Sequence, residues 1–152
     1  MKMITLIAVF AWIIVSCGDA YNPYVTYIDA KLKPELTIWQ EDCKLFMEHA
    51  KCNTYGIESI TISDKLGSED TIGQCEIRYK GLNKIKRIYI REDVPLNTYY
   101  SRALILHEML HCRFDFMHHT DNGLMAPSMY MPSGYMADNW PELLEETYAL
   151  VK

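Results

Sequence analysis

The sequence has no excess of basic charge. Its 152 residues include 15 lysines and arginines against 20 aspartates and glutamates, which gives a formal net charge of −5 at pH 7. Proteins that bind nucleic acid neutralise phosphates with clustered basic side chains, so this balance argues against a nucleic-acid partner. The sequence also has no internal repeat and no low-complexity segment. Its length suits one small domain, and the 49% of apolar residues is ample for a core.

The apolar run at the start of the chain is too short for a comfortable membrane span. Residues 3–15 contain no acidic side chain and follow Lys2, whereas a spanning helix needs about 20 residues. This pattern is typical of a signal peptide. Residues 14–18 read IVSCG and resemble the lipobox of a bacterial lipoprotein. The resemblance implies cleavage before Cys17 and a lipid on its thiol.

Two other fates of this segment stay open. One is cleavage after Ala20, since residues 18–20 fit a small-x-small site, which would give a secreted protein. The other is an uncleaved anchor. All three fates export the domain. The preferred division is a signal peptide over residues 1–16, a tether over 17–33 and one domain over 34–152. We expect a monomer that lipid on Cys17 holds at the membrane of the cell envelope.

Three helices are predicted from local signals. Pro34 suits the first turn of a helix, where its missing N–H costs nothing. Apolar residues then recur at steps of three and four as far as Ala50, and residues 53–56 end the pattern. Asn97 is a candidate N-cap for a second helix. A third helix starts at residues 139–142.

Between the first two helices lie short runs enriched in isoleucine and threonine. These runs predict strands over residues 57–63, 72–80 and 85–91. Residues 81–84 read GLNK and predict a hairpin between the last two strands. The order of elements therefore predicts an α+β domain with one small sheet.

Four cysteines follow Cys17, and four cysteines allow three pairings. Cys43 and Cys52 lie nine residues apart on or near one helix, which separates them by about 13 Å along the axis. A disulfide needs Cα atoms less than about 7 Å apart. We therefore expect any bridge to join different elements, with Cys112 tying its helix to the strand that carries Cys75. Buried free thiols are the alternative.

The stretch that organises the chain is HEMLH at residues 107–111. It follows an aliphatic run that reads as helix, and on a helix residues i and i+4 share one face. His107 and His111 can then bind one Zn²⁺, each at about 2.0–2.1 Å. Glu108 leaves the same turn at another angle, where it is suited to take a proton from water.

Two histidines do not complete a zinc site, and the next candidates are His118 and His119. On a straight helix His118 would lie about 16 Å from His107 along the axis. A single ion cannot bridge that distance, so the chain must turn back after about Phe114 if either histidine is a ligand. The loop-forming residues 121–123 favour such a turn.

The sequence here resembles the metzincin zinc proteases, particularly the matrixin-like branch of small bacterial and phage proteins. The resemblance rests on HExxH at 107–111, on a histidine shortly after it, and on LMAP at 124–127. It implies a set of site residues: zinc ligands His107, His111 and His118, with His119 as the alternative third ligand, general base Glu108, and Met125 as the methionine of the turn beneath the zinc.

The chain departs from the usual metzincin signature, HExxHxxGxxH, at two positions. Phe114 stands where the signature has glycine, and Met117 stands where it has the third histidine. Glycine is the residue best suited to end a helix with positive φ. Asp115 is a candidate for that conformation here.

The resemblance also implies the fold and the activity. The fold would be a minimal metzincin-like one, with a small twisted sheet, mostly antiparallel or mixed, an N-terminal helix, an active-site helix, a Met-turn and a C-terminal helix. The activity would be hydrolysis of peptide bonds in a polypeptide substrate, with Zn²⁺ as cofactor and Glu108 as base. A non-catalytic zinc-binding envelope lipoprotein is the alternative, although a structural zinc site has no use for Glu108.

Overall fold

A four-stranded sheet and four α-helices make up the part of the chain that the structure describes. The computed structural model describes residues 26–64, 66–127 and 131–151. The strands are β1 (Tyr27–Ile28), β2 (Ile57–Ser63), β3 (Gly73–Lys80) and β4 (Asn83–Arg91). The helices are α1 (Lys33–Phe46), α2 (Tyr99–Phe114), α3 (Ser133–Asp138) and α4 (Trp140–Ala149). This organisation confirms the predicted α+β class.

The sheet is mixed, with strand order β1-β2-β4-β3. β1 and β2 pair in parallel, as do β2 and β4, whereas β3 and β4 are antiparallel. The hairpin between β3 and β4 turns through Gly81 and Leu82, since Lys80 pairs with Asn83. Gly81 has φ +62°, a value that glycine adopts without strain. β3 lies at an edge of the sheet, with β4 as its neighbour.

Helix α2 is the central element of the core. It contacts β3, β4, α1 and α3. Its buried residues continue the aliphatic run that precedes HEMLH: Ala103, Leu104, Ile105, Leu106, Met109 and Leu110. The apolar stripe predicted for α1 is also buried, through Leu36, Trp39 and Cys43. Burial of these stripes fixes how α2 is rotated, and so which of its side chains face away from the core.

The N-terminus of α2 is capped one residue later than predicted. Thr98 is the N-cap, because its hydroxyl accepts a hydrogen bond from the Ser101 backbone N–H while the Ser101 hydroxyl accepts one from the Thr98 N–H. The prediction of Asn97 as the cap is therefore wrong. Asn97 instead has φ +60° and donates its N–H to the buried carboxylate of Glu35. This carboxylate also accepts a hydrogen bond from the Ser101 hydroxyl at 2.7 Å.

Cys43 and Cys52 form a disulfide, so the expectation that they lie too far apart for a bridge is wrong. The predicted helix ran on to about Asn53, but α1 ends at Phe46. The chain then turns through a short 3₁₀ helix at His49–Lys51. This turn brings the Cα atoms of the two cysteines to 5.6 Å, well within the range for a bridge.

Cys75 and Cys112 form the second disulfide, with Cα atoms 5.6 Å apart. The bond joins edge strand β3 to helix α2, which confirms the predicted pairing. The alternative of four buried free thiols is therefore wrong. This second disulfide ties a strand and a helix that also pack against one another, and it lies beside the HEMLH motif.

The N-terminal expectations fall largely outside the described residues. The signal peptide, Cys17 and Ala20 lie in residues 1–25, which precede the described part. From the expected tether, Tyr27 and Ile28 form β1 and Leu32 is fully buried. Among the residues that the structure does describe, no helix has both the length and the apolar character needed to cross a membrane.

Candidate metal centre

Three side chains of α2 form one wall of the site. His107, Glu108 and His111 are 7%, 4% and 8% exposed, respectively. The four-residue spacing places the two imidazole rings on one face of the helix, with their centroids 4.6 Å apart. The predicted pairing of His107 with His111 is thus present in the structure.

The chain turns back immediately after α2. Asp115 has φ +55° and ψ +26°, the left-handed conformation, and the Phe116 N–H donates to the Leu110 carbonyl. Asp115 therefore has the positive φ that was predicted for it. No regular secondary structure forms over residues 115–120, and this segment brings a histidine back to the end of α2.

The histidine that returns is His119. Its Nε2 lies 3.2 Å from Nε2 of His111, and its ring centroid lies 5.3 Å from that of His107. The ligand atoms of His107, His111 and His119 all lie within 4.8 Å of one another. These three residues therefore form a cluster that could hold a metal ion.

His118, the preferred third ligand in the sequence, lies outside this cluster, so that assignment is corrected to the alternative, His119. In a non-helical segment adjacent side chains lie on different sides of the backbone. Met117 and His119 line the cleft, whereas the ring of His118 lies 6.1 Å from that of Phe116.

The hydrogen bonds of the cluster fix which ring nitrogens are free. Nδ1 of His107 donates to the Leu124 carbonyl at 2.8 Å, and Nδ1 of His111 donates to the Phe116 carbonyl at 2.5 Å. A carbonyl can only accept, so each Nδ1 carries the proton and each Nε2 presents a lone pair. The two Nε2 atoms lie 3.0 Å apart. Two lone pairs at that distance need a cation or a proton between them.

A proton is disfavoured at this position. Burial lowers the pKa of His107 to about 4 and also lowers the pKa of His111, in each case against a smaller opposing effect of the carbonyl hydrogen bond. Tetrahedral zinc with bonds of about 2.0–2.1 Å places neighbouring ligand nitrogens about 3.3 Å apart, close to the distances found here. Three imidazoles are a donor set that suits zinc and other first-row metals.

Glu108 is adjacent to the cluster but is not part of it. Burial raises the pKa of its carboxyl group to about 8, although a hydrogen bond from the Cys75 N–H opposes this shift. The group is enclosed by edge strand β3, where a Cβ on Gly73 would lie 2.7 Å from Glu108 Oε1 and 2.7 Å from Leu104 Cδ1. A side chain at position 73 would therefore force the Glu108 carboxyl group or the Leu104 side chain to move.

A cleft of about 470 Å³ runs past the three histidines and Glu108. One side is formed by residues 70–75, which lead into β3, and the other by Met117, His119, Ala126 and Pro127. The carboxyl group and the histidine cluster therefore open onto the same space, beside an edge strand whose outer side faces that space.

Met125 lies in the turn that follows this segment. It is 1% exposed, and its carbonyl accepts a hydrogen bond from the Thr120 N–H at 3.1 Å. The neighbouring Leu124 carbonyl is the one that orients His107. The turn is thus attached to the histidine cluster, and a position of the Met125 side chain beneath the metal stays a prediction.

Sequence reasoning missed the groups that orient the site. These are the carbonyls of Phe116 and Leu124, which carry no side-chain signal. Gly73 did carry one, since a glycine inside a strand pattern often marks a close approach of another group. No family model, curated protein or solved structure matches this chain.

Proposed function

We propose that the protein is a zinc-dependent endopeptidase of minimal metzincin type. The observation that carries the proposal is the convergence of three histidine side chains, two of them with Nε2 unprotonated, beside a buried carboxyl group. A structural zinc site is closed by a fourth protein ligand, whereas a catalytic site keeps one position open. Among the described residues, three histidines could act as ligands, and the cleft beside them would leave a fourth position open.

Zinc held by His107, His111 and His119 would polarise a carbonyl group and lower the pKa of water. Glu108 is the group of the chain that holds and transfers the proton. Its carboxyl group is buried and is oriented by the Cys75 N–H. A bound zinc ion would favour the carboxylate form, which can accept a proton from water and carry it to a leaving amine. The Leu124 and Phe116 carbonyls keep the two helix histidines in the required tautomer.

The residues that line the cleft support a proposal for the substrate class. Residues 70–75 line it and lead into edge strand β3, whose partner β4 lies on the other side. An extended polypeptide can pair with such an edge through backbone hydrogen bonds, which do not depend on sequence. We therefore propose unfolded or extended polypeptide as the substrate.

Export, with lipid attachment at Cys17, is the second part of the proposal. Two disulfides, Cys43–Cys52 and Cys75–Cys112, support it because disulfides persist in oxidising compartments outside the cytoplasm. Metabolic labelling with a radioactive fatty acid tests it. Label on the wild type that Cys17→Ala removes is the expected result, whereas an unlabelled protein found in the medium would favour cleavage near Ala20.

The test of the activity combines metal content with cleavage of an unfolded protein. The oxidised wild type should bind one zinc per chain and cleave the substrate in a chelator-sensitive way. Glu108→Gln should keep the zinc and lose cleavage, and His119→Ala should lose both. His118→Ala is the matched control for the third ligand and should keep both.

Each result decides between named alternatives. One zinc without cleavage of any polypeptide tested would favour the non-catalytic binding protein. A folded wild type without zinc would contradict the metal centre. Full cleavage by Glu108→Gln would contradict the role of Glu108 as base while leaving the metal centre intact.

A further inference from the structure

The turn that carries His119 is held by an ion-pair cluster outside the metal centre. Asp115, the left-handed residue after α2, lies between two lysines of β4. Its Oδ1 atom accepts hydrogen bonds from Nζ of Lys84 at 2.5 Å and from Nζ of Lys86 at 2.9 Å. Strand β4 and the turn are 29 to 31 residues apart in sequence, so this contact is made by the tertiary fold.

Lys86 joins the turn to the end of the helix. Lys86 is only 9% exposed, and its ammonium group also donates to the Cys112 carbonyl at 2.6 Å. This carbonyl belongs to the last turn of α2, where carbonyls lack partners within the helix. One buried ammonium group therefore binds both the final helical turn and the side chain of Asp115.

The position of this turn determines the surroundings of two metal ligands. The carbonyl that orients His111 belongs to Phe116, the residue directly after Asp115. His119 follows four residues after Asp115 on a segment without regular secondary structure. A displacement of Asp115 would therefore move the orienting partner of His111 and the ligand His119 together.

We propose that Asp115, held by Lys84 and Lys86, is a positioning residue for the metal centre. Exposed ion pairs contribute little to stability. Here they matter for geometry, because they hold Asp115 in the left-handed conformation that directs the chain back towards the cluster. Groups that orient metal ligands typically change metal affinity by about 10- to 100-fold when they are removed. The inference rests on the proposed metal centre but does not require that the protein be a peptidase.

Two substitutions separate the ion pairs from the backbone conformation. Asn and Gly both tolerate positive φ, and neither carries the charge of aspartate. If the ion pairs position the ligands, Asp115→Asn and Asp115→Gly both bind zinc at least about 10-fold more weakly than wild type. Wild-type affinity in both variants would overturn the proposal, since a left-handed residue alone would then be sufficient.

Two lysine variants test the ion pairs, one that removes a partner of Asp115 and one that serves as its control. Lys84→Met removes one partner of Asp115 and should weaken zinc binding, whereas Lys80→Met, in the same hairpin but away from Asp115, should leave it unchanged. Affinity is measured on the full chain by competition with a chromophoric chelator, without substrate. The outcome therefore stays separate from that of the peptidase assay.

Two further readouts distinguish positioning from a loss of folding. Visible absorption of bound Co²⁺ reports the ligand set and should change in both Asp115 variants. Thermal unfolding of the metal-free proteins reports stability. A variant with lower thermal stability but unchanged zinc affinity and Co²⁺ spectrum would overturn the proposal, whereas weaker binding by a folded variant supports it.

Discussion

As the pH rises, the metal-free Glu108→Gln variant should become more stable relative to the metal-free wild type. The carboxyl group of Glu108 is 4% exposed, and burial raises its pKa from 4.5 to about 8. The folded state therefore binds a proton that the unfolded state releases above pH 4.5. Stability that the protonated form contributes is lost as the pH rises towards 8. Glutamine has nearly the same shape and does not titrate, so the variant does not lose this stability.

The size of the effect follows from the difference in pKa. One pKa unit corresponds to about 1.4 kcal/mol, so the unfolding free energy of Glu108→Gln relative to wild type should increase by about 3 kcal/mol between pH 5 and pH 8. The titrations of His107 and His111 occur in both proteins and cancel in the difference. Only the change with pH is predicted, because the amide also alters local hydrogen bonding.

Urea unfolding at several pH values measures this difference. The proteins are kept oxidised and free of metal with a chelator. Glu92→Gln, the same substitution at an exposed position, is the matched control. A Glu108→Gln difference that stays constant from pH 5 to pH 8 would refute the reasoning. Added zinc should reduce the difference, since a nearby cation favours the carboxylate.

Two further predictions concern the strand that faces Glu108. Gly73→Ala should lower kcat while zinc content stays at one per chain, because its Cβ would lie 2.7 Å from the Glu108 carboxylate; Gly134→Ala, where no atom lies within 4 Å of the added Cβ, is the control. Replacing Cys75 and Cys112 together with alanine should lower the unfolding free energy by about 4 kcal/mol on loop-closure grounds, since the bond closes a separation of 37 residues. Urea unfolding without reductant measures this loss, and unchanged stability would contradict it.

The sequence was sufficient for features that local geometry determines. His107 and His111 share a face because four residues make about one helical turn, and this holds wherever the helix lies. Strand β2 has the predicted bounds, Ile57–Ser63, because the run is enriched in isoleucine and threonine, which favour β-strands. These features need no knowledge of distant contacts.

Features that depend on where a helix ends were not predictable in the same way. The choice between His118 and His119 depends on a turn at Asp115, which contacts lysines about 30 residues away in strand β4. The Cys43–Cys52 bond was missed because α1 ends at Phe46 rather than near Asn53. In the first case the turn comes where it was expected, after Phe114, and only the path of the chain beyond it was open. In the second case the helix ends earlier than predicted, which changes which side chains meet.

The Cys75–Cys112 bond has a consequence for how a substrate can enter. It links β3, which borders one side of the cleft, to α2, which carries His107, Glu108 and His111. A covalent link at this point prevents the strand and the helix from separating to admit a bulky chain. The width of the passage is therefore set when the protein is oxidised. If the proposed function is correct, a polypeptide substrate would have to be narrow, as a single extended strand is, before it reached the histidine cluster.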